Sequence, residues 1–139
     1  MDTANGGLDQ LDYDECIRRL DGESVGRIAL LVNELLVVVP VNYRMVQTDG
    51  RTWIVFRTEP DGILDRPDVH AAFEIDDADA AKRTGWSVLV QGMLQRVDPD
   101  SADMRERFDP VPWPRSPRDR WMTIEPFSVT GRRIHTPAD

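Results

Sequence analysis

Two arginine-bearing segments carry most of what this chain could do chemically. Val55-Phe56-Arg57-Thr58 closes a β-branched and aromatic run with a guanidinium followed by a hydroxyl. Arginine offers a planar fork of donors that suits phosphate, and threonine adds a hydroxyl and a backbone N–H. At a strand end both side chains stand where the chain releases into a loop, so the pair could hold an anion. The competing reading is a surface ion pair between Arg57 and Glu59 or Asp61. Gly131-Arg132-Arg133-Ile134 could also meet an anionic ligand. Charge pairs near chain ends are more often a solvated edge, which is the reading for Arg133, while Arg132 stays open.

Two further segments place polar or aromatic groups beside apolar strands. After Val37-Val38-Val39 come Pro40-Val41-Asn42-Tyr43, read as a strand end with a hydrogen-bonded Asn and a half-buried Tyr. Gly85-Trp86-Ser87-Val88 opens a long strand with a large indole, which suits a core or interface anchor. Other chemistries lack their parts. Cys16 is the single cysteine, and with only His70 and His135 beside it no zinc set of Cys and His ligands can be assembled, so no metal is expected. Neither histidine has a Gly-x-Ser-x-Gly elbow nearby.

Positioning these groups requires one domain, expected over residues 11–139 of a 139-residue chain, behind a disordered tail over residues 1–10. A net charge of −8 argues against nucleic acid and anionic membrane surfaces as partners, yet leaves room for a small anion held by a few arginines. The longest apolar run, Leu35 to Val39, is strand-sized, and the N-terminus has no basic-then-apolar signal pattern, so a cytoplasmic location is expected.

The elements follow from local pattern. Asp12 and Glu15 have capping-box spacing ahead of an apolar face of Tyr13, Cys16, Ile17 and Leu20, predicting a helix over Asp12–Leu20 that stops at Asp21-Gly22. Strands are predicted at Gly26–Val32 and Leu35–Val41 around Asn33-Glu34, and at Arg44–Gln47 and Thr52–Arg57 around an Asp49-Gly50 turn. A short segment, Ile63–Arg66, leads to an apolar run at His70–Ile75, a charged loop at Asp76–Thr84 and a long strand at Trp86–Val97. Gly92 inside that strand marks a bulge or a close backbone approach. Ser101–Phe108 reads as a short helix, and the four prolines of Asp109–Pro117 force an irregular excursion, either a lid or a packed crossing, that Trp113 and Trp121 frame. Trp121–Val129, interrupted by Pro126, is an edge or bulged strand that Thr130–His135 could continue. Six or seven strands with one or two short helices, and no strand–helix alternation, predict a mainly β, antiparallel barrel.

The order of short motifs adds a resemblance. Gly26-Arg27-Ile28-Ala29, Val39-Pro40-Val41-Asn42-Tyr43, Val55-Phe56-Arg57-Thr58, Ala72-Phe73-Glu74-Ile75-Asp76, Gly85 to Gly92 and Val129 to Ile134 together resemble the pyridoxamine 5′-phosphate oxidase-like family of flavin-binding split barrels, in particular its short actinobacterial-type members. The resemblance spans about Leu11 to Ile134. It implies a split barrel, a homodimer whose interface includes the Trp86 strand, FMN as cofactor and a flavin-dependent oxidoreductase acting on a small molecule. By that resemblance Pro40, Val41, Asn42 and Tyr43 line the isoalloxazine ring, Arg57 and Thr58 meet the phosphate, and Trp86 and Ser87 wall the pocket. One position departs from the pattern: Ile63 stands where the family has a phosphate-binding Lys, with Glu59 and Asp61 adding negative charge. Arg66, Lys82 and Arg83 are the nearest cations that could compensate. The alternatives are a non-redox dimeric binding module that has lost tight FMN binding, or a relative that binds a deazaflavin.

Overall fold

The computed structural model describes residues 7–114 and 118–136. The first strand, β1 (Leu8–Leu11), runs into α1 (Tyr13–Gly22), followed by β2 (Val25–Val32), β3 (Leu35–Thr48), β4 (Arg51–Thr58), β5 (Val69–Asp79) and β6 (Thr84–Arg96). A 3-10 turn at Ser101–Asp103 leads into the single-turn α2 (Met104–Arg107), and β7 (Arg120–Ile134) closes the fold. All pairings are antiparallel. The order is β1-β7-β4-β3-β2-β5-β6, and β6 pairs β7 to close the ring.

The split lies along β7. Its Arg120–Ile124 stretch pairs β4 and its Gly131–Ile134 stretch pairs β1, so between them β7 has a ladder to β6 alone. Pro126 sits in that gap opposite Gly92, at the register shift between Gln91 and Gly92. There a missing N–H costs least. A Cβ on Gly92 would stand 2.5 Å from the Glu125 carbonyl oxygen, so the close approach expected there is real.

Turn chemistry explains both tight hairpins. Asn33 and Glu34 have φ of 50° and 70°, and Asp49 and Gly50 have φ of 51° and 74°. Two consecutive positive-φ residues match the right-handed twist of the flanking strands. Alternation then sends Ile28 and Leu30 of β2, Tyr43 and Met45 of β3, Ile54 and Phe56 of β4, Phe73 and Ile75 of β5 and Val88 and Val90 of β6 inward to one core. The α1 helix closes one mouth of the ring, with Asp12 Oδ1 accepting from the Glu15 N–H at 2.9 Å and Cys16 and Leu20 buried in the core. Outside β4 and β7 a second cluster of Val46, Val55, Met104 and Trp121 packs under Trp53, Val97 and Phe108.

Three expectations need correction. The tail expected to reach residue 10 is strand from Leu8, because β1 pairs the end of β7, while residues 1–6 lie outside the described residues. The β3 strand runs unbroken from Leu35 to Thr48, so Asn42 and Tyr43 lie mid-strand. The charged stretch expected as a loop is mostly ladder: Asp76–Asp79 pairs Thr84–Ser87. The short helix expected at Ser101–Phe108 is present, as a 3-10 turn followed by one α turn.

Candidate functional site

The sheet sorts the sequence-derived candidates onto two faces. Val41, Tyr43, Thr58 and Trp86 share the inward parity of their strands. Val41 and Trp86 pack against the main core, and Tyr43 and Thr58 are buried. Tyr43 is not half-exposed at a strand end. Its hydroxyl donates to the Leu20 carbonyl at 2.5 Å and its ring meets Phe73 edge-on. Burial, with the negative charges of Glu23 and Asp21, pushes the phenol well above its ordinary range. Trp86 carries the Arg19 guanidinium over its ring, 4.6 Å from the centroid.

Pro40, Asn42, Arg57 and Ser87 have the opposite parity and face outward. Asn42 is registered with Val25, Asp76 with Ser87, and Ser87 with Arg132. Arg57 follows one step beyond the Tyr43–Phe56 pair, beside Asn42. The neighbouring outward row holds Pro40, Arg27, Glu74, Leu89 and Thr130. The outer surface thus carries a line of hydrogen-bonding groups with Arg57 at one end and Arg132 at the other. Its apolar neighbours are Val25, Leu89 and, further along the β2–β3 hairpin, Leu31, Leu36 and Val38, all exposed. A cavity of about 420 Å³ at the far end is bordered by Ser87, Trp86, Gly85, Thr84, Asp76 and Arg132.

Arg57 is held on its strand by three contacts. Nε donates to the Arg118 carbonyl at 2.9 Å, Nη1 lies 3.1 Å from Asp109 Oδ1, and the guanidinium sits 5.6 Å from the Trp121 ring centre. The ion pair anticipated from sequence exists, but with Asp109 in place of Glu59 or Asp61. The same excursion reaches Asn42, whose Oδ1 accepts from the Trp113 N–H at 2.8 Å. Residues 115–117 of that excursion lie outside the described residues.

The loop carrying Ile63 turns on itself. The Glu59 carbonyl accepts from the Gly62 N–H, and the Gly62 carbonyl from the Asp65 N–H. Ile63 is half exposed, and Arg66 Nε donates to its carbonyl at 2.8 Å. Asp65, whose side chain is fully buried, accepts from the Asp61 N–H and pairs with Arg96 at 2.9 Å and Arg120 at 3.1 Å. Burial alone would raise this carboxyl. The hydrogen bonds from Asp61 and Arg96 and the charges of Arg120 and Arg96 outweigh it and hold the group below its usual range. Of the cations weighed as compensators, Lys82 and Arg83 sit at the β5–β6 turn, away from Arg57 in the sheet order.

On the adjacent outward row Arg27 Nη1 lies 3.3 Å from Glu74 and 3.1 Å from Asp76. Partial burial, then the hydrogen bond and charge of Asp76, push Glu74 up to about 7 against the opposing pull of Arg27. Arg133 is not a solvated edge. It and His135 approach the buried Asp9 carboxylate at 3.5 and 2.8 Å, tying β1 to the end of β7. Sequence reading missed Asp65, Asp109 and the Glu74–Asp76 pair, since each acts through partners from distant strands.

The family model for pyridoxamine 5′-phosphate oxidase matches residues 12–133. The chain belongs to the pyridoxamine 5′-phosphate oxidase-like family. It is 35% identical over 130 residues to the uncharacterized protein Rv0080 of Mycobacterium tuberculosis, covering 90% of this chain and 84% of that one. It is similar to the FAD binding protein of Mycobacterium smegmatis, with 28% identity, a TM-score of 0.68, and 92% and 99% of the two chains covered. It is also similar to the conserved protein of unknown function DIP1874 from Corynebacterium diphtheriae, with 26% identity, a TM-score of 0.76, and 92% and 98% covered. Family membership and the mainly β antiparallel split barrel therefore stand together.

Proposed function

We propose that this chain is a flavin-dependent oxidoreductase that works as a homodimer on a small molecule, with Arg57, Asn42 and Ser87 of the outward row as the groups that would hold FMN. The observation that carries the reading is the register that sets Arg57 beside Asn42 on the outer surface, with Val25 and Asp76 between Asn42 and Ser87 along the same row and exposed apolar side chains next to it. The similarity to an FAD binding protein supports a flavin. The donor set fits the cofactor in type: a guanidinium for a phosphate, an amide and a hydroxyl for the polar edge of the ring. When bound, the flavin supplies hydride chemistry, and the protein supplies position and electrostatics. Arg57 would bind the phosphate, Asn42 and Ser87 would orient the ring, and Leu89 and Val25 would exclude water from it. Leu31, Leu36, Val38 and Leu89 give the dimer an apolar face that includes β6, the strand of Trp86.

Absorbance of the purified protein, followed by titration with FMN, FAD and riboflavin, tests this. Arg57→Ala should weaken FMN by roughly 1.5–3 kcal/mol and leave riboflavin nearly unchanged, because riboflavin lacks the phosphate. Equal losses for both would remove Arg57 from the phosphate role.

A second reading, a non-redox dimeric module without tight FMN binding, is favoured by one feature: Ile63 supplies no cation and Arg57 already holds Asp109. Absence of binding of any flavin at high micromolar concentration selects it.

A further inference from the structure

We propose that Asp109 is a built-in competitor for the anion site at Arg57, so that a phosphorylated ligand binds by displacing the Asp109 carboxylate. The inference rests on the reading of Arg57 as the phosphate anchor and concerns what governs its affinity.

The geometry has three parts. First, Asp109 Oδ1 sits 3.1 Å from Arg57 Nη1, and Arg57 Nε is already committed to the Arg118 carbonyl at 2.9 Å. A carboxylate and a phosphate oxygen seek the same face of a guanidinium, since both pair with its forked N–H groups. With Nε engaged, an incoming phosphate and Asp109 compete for the remaining donors. Two anions on one guanidinium repel, so each weakens the other's hold on Arg57.

Second, the pair is partly sheltered, with Arg57 20% and Asp109 30% exposed at the side chain. Screening by water is therefore weaker than at an open surface pair.

Third, the competing segment has anchors other than the Asp109 carboxylate. Pro110 is buried beside Asp109 and the Trp113 N–H is bonded to Asn42, which ties the chain to β3. A rotamer change at Asp109 would free Arg57 with both anchors kept. Because the same segment also holds the Asn42 amide, the phosphate end and the neighbouring polar group of the outward row answer to one stretch of chain.

Neither Glu59 nor Asp61 takes this role, although both are nearer in sequence. Asp61 is instead tied through its N–H to Asp65, inside a loop closed on itself.

The experiment is a titration of wild type, Asp109→Asn, Asp109→Ala and Arg57→Ala with FMN and riboflavin, at low and high salt, with thermal melts to confirm folding. FMN should bind both Asp109 variants about ten-fold tighter than wild type, with riboflavin unchanged and the gain shrinking as salt rises. In Arg57→Ala the preference for FMN over riboflavin should disappear. If Arg57→Ala loses FMN selectively but the Asp109 variants bind it no better than wild type, the competitor idea is overturned while the Arg57 reading stands. If Arg57→Ala weakens FMN and riboflavin by the same factor relative to wild type, and the Asp109 variants change neither ligand selectively, both fall together. Should Asp109→Asn fail to fold, Asp109→Ala carries the same comparison. Should neither fold, inorganic phosphate quenching of Trp fluorescence in wild type decides: displacement of Asp109 requires a saturable response that Arg57→Ala lacks, and its absence overturns the proposal.

Discussion

The Tyr43 hydroxyl donates to the Leu20 carbonyl across 2.5 Å, joining the middle of β3 to the last turn of α1 inside the barrel. The two residues lie on elements that meet only when the ring closes, and both are almost fully buried. Tyr43→Phe should destabilise the fold by roughly 1–2 kcal/mol, because the Leu20 carbonyl is left without its donor and away from water. Urea denaturation of the pair of proteins measures this, and an unchanged midpoint would show that water replaces the hydroxyl.

Glu74 provides a pH dependence of opposite sense to the usual carboxylate. Its folded value is raised from 4.5 to about 7, first by burial and then by Asp76, so the folded chain keeps a proton that the unfolded chain has released. The stability it contributes is complete below about 4.5 and is lost as pH rises through about 7. Glu74→Gln should flatten this part of the profile. Melting temperatures from pH 4 to pH 8 should show a smaller fall for the variant than for wild type, and parallel curves would exclude Glu74 as the titrating group.

Asp65 works in the other direction. Its lowered folded value means that its contribution is present above the ordinary 3.8 and is lost as pH falls through the folded value. Asp65→Asn should cost roughly 1.5–3 kcal/mol near neutral pH, since charge-assisted bonds to Arg96 and Arg120 are weakened. The gap between wild type and variant should narrow in acid. A gap of constant size down to pH 2 would mean that shape, not charge, holds the Ile63 loop.

The exposed apolar face of the β2–β3 hairpin makes a separable prediction. Val38 is 63% exposed and Leu36 84% exposed, so a charge at either position meets water in a monomer and a desolvated surface in a dimer. If the proposed homodimer forms through this face, Val38→Glu should turn it into a monomer in light scattering, with thermal stability of the isolated subunit nearly unchanged. A wild-type protein already monomeric at micromolar concentration would end the homodimer reading.

Much of the fold was legible in the sequence because its signals act over a few residues. Asn33-Glu34 and Asp49-Gly50 mark turns whose φ values are set locally, Asp12 caps α1 within one turn, and Gly92 marks the bulge by having no side chain. Alternation at Ile28 and Leu30, or at Val88 and Val90, names the inner face of each strand before any partner is known. Strand parity also separates Asn42 from Tyr43 and Ser87 from Trp86, and so divides the candidate site between two faces.

Only the tertiary structure decided which of those residues meet. The β1 strand has too few residues to announce itself, and it exists because the end of β7, more than a hundred positions away, offers an open ladder. Arg57 pairs with Asp109 and not with the adjacent carboxylates, since strand direction aims it at the excursion after α2. Asp65 becomes a buried anchor only when β6 and β7 bring Arg96 and Arg120 together. The physical reason is common to all three. A turn or a cap is settled by dihedral and hydrogen-bond preferences within one short segment. A long-range ion pair or ladder depends on the closure of the whole ring, whose register is set by the sum of many side-chain packings.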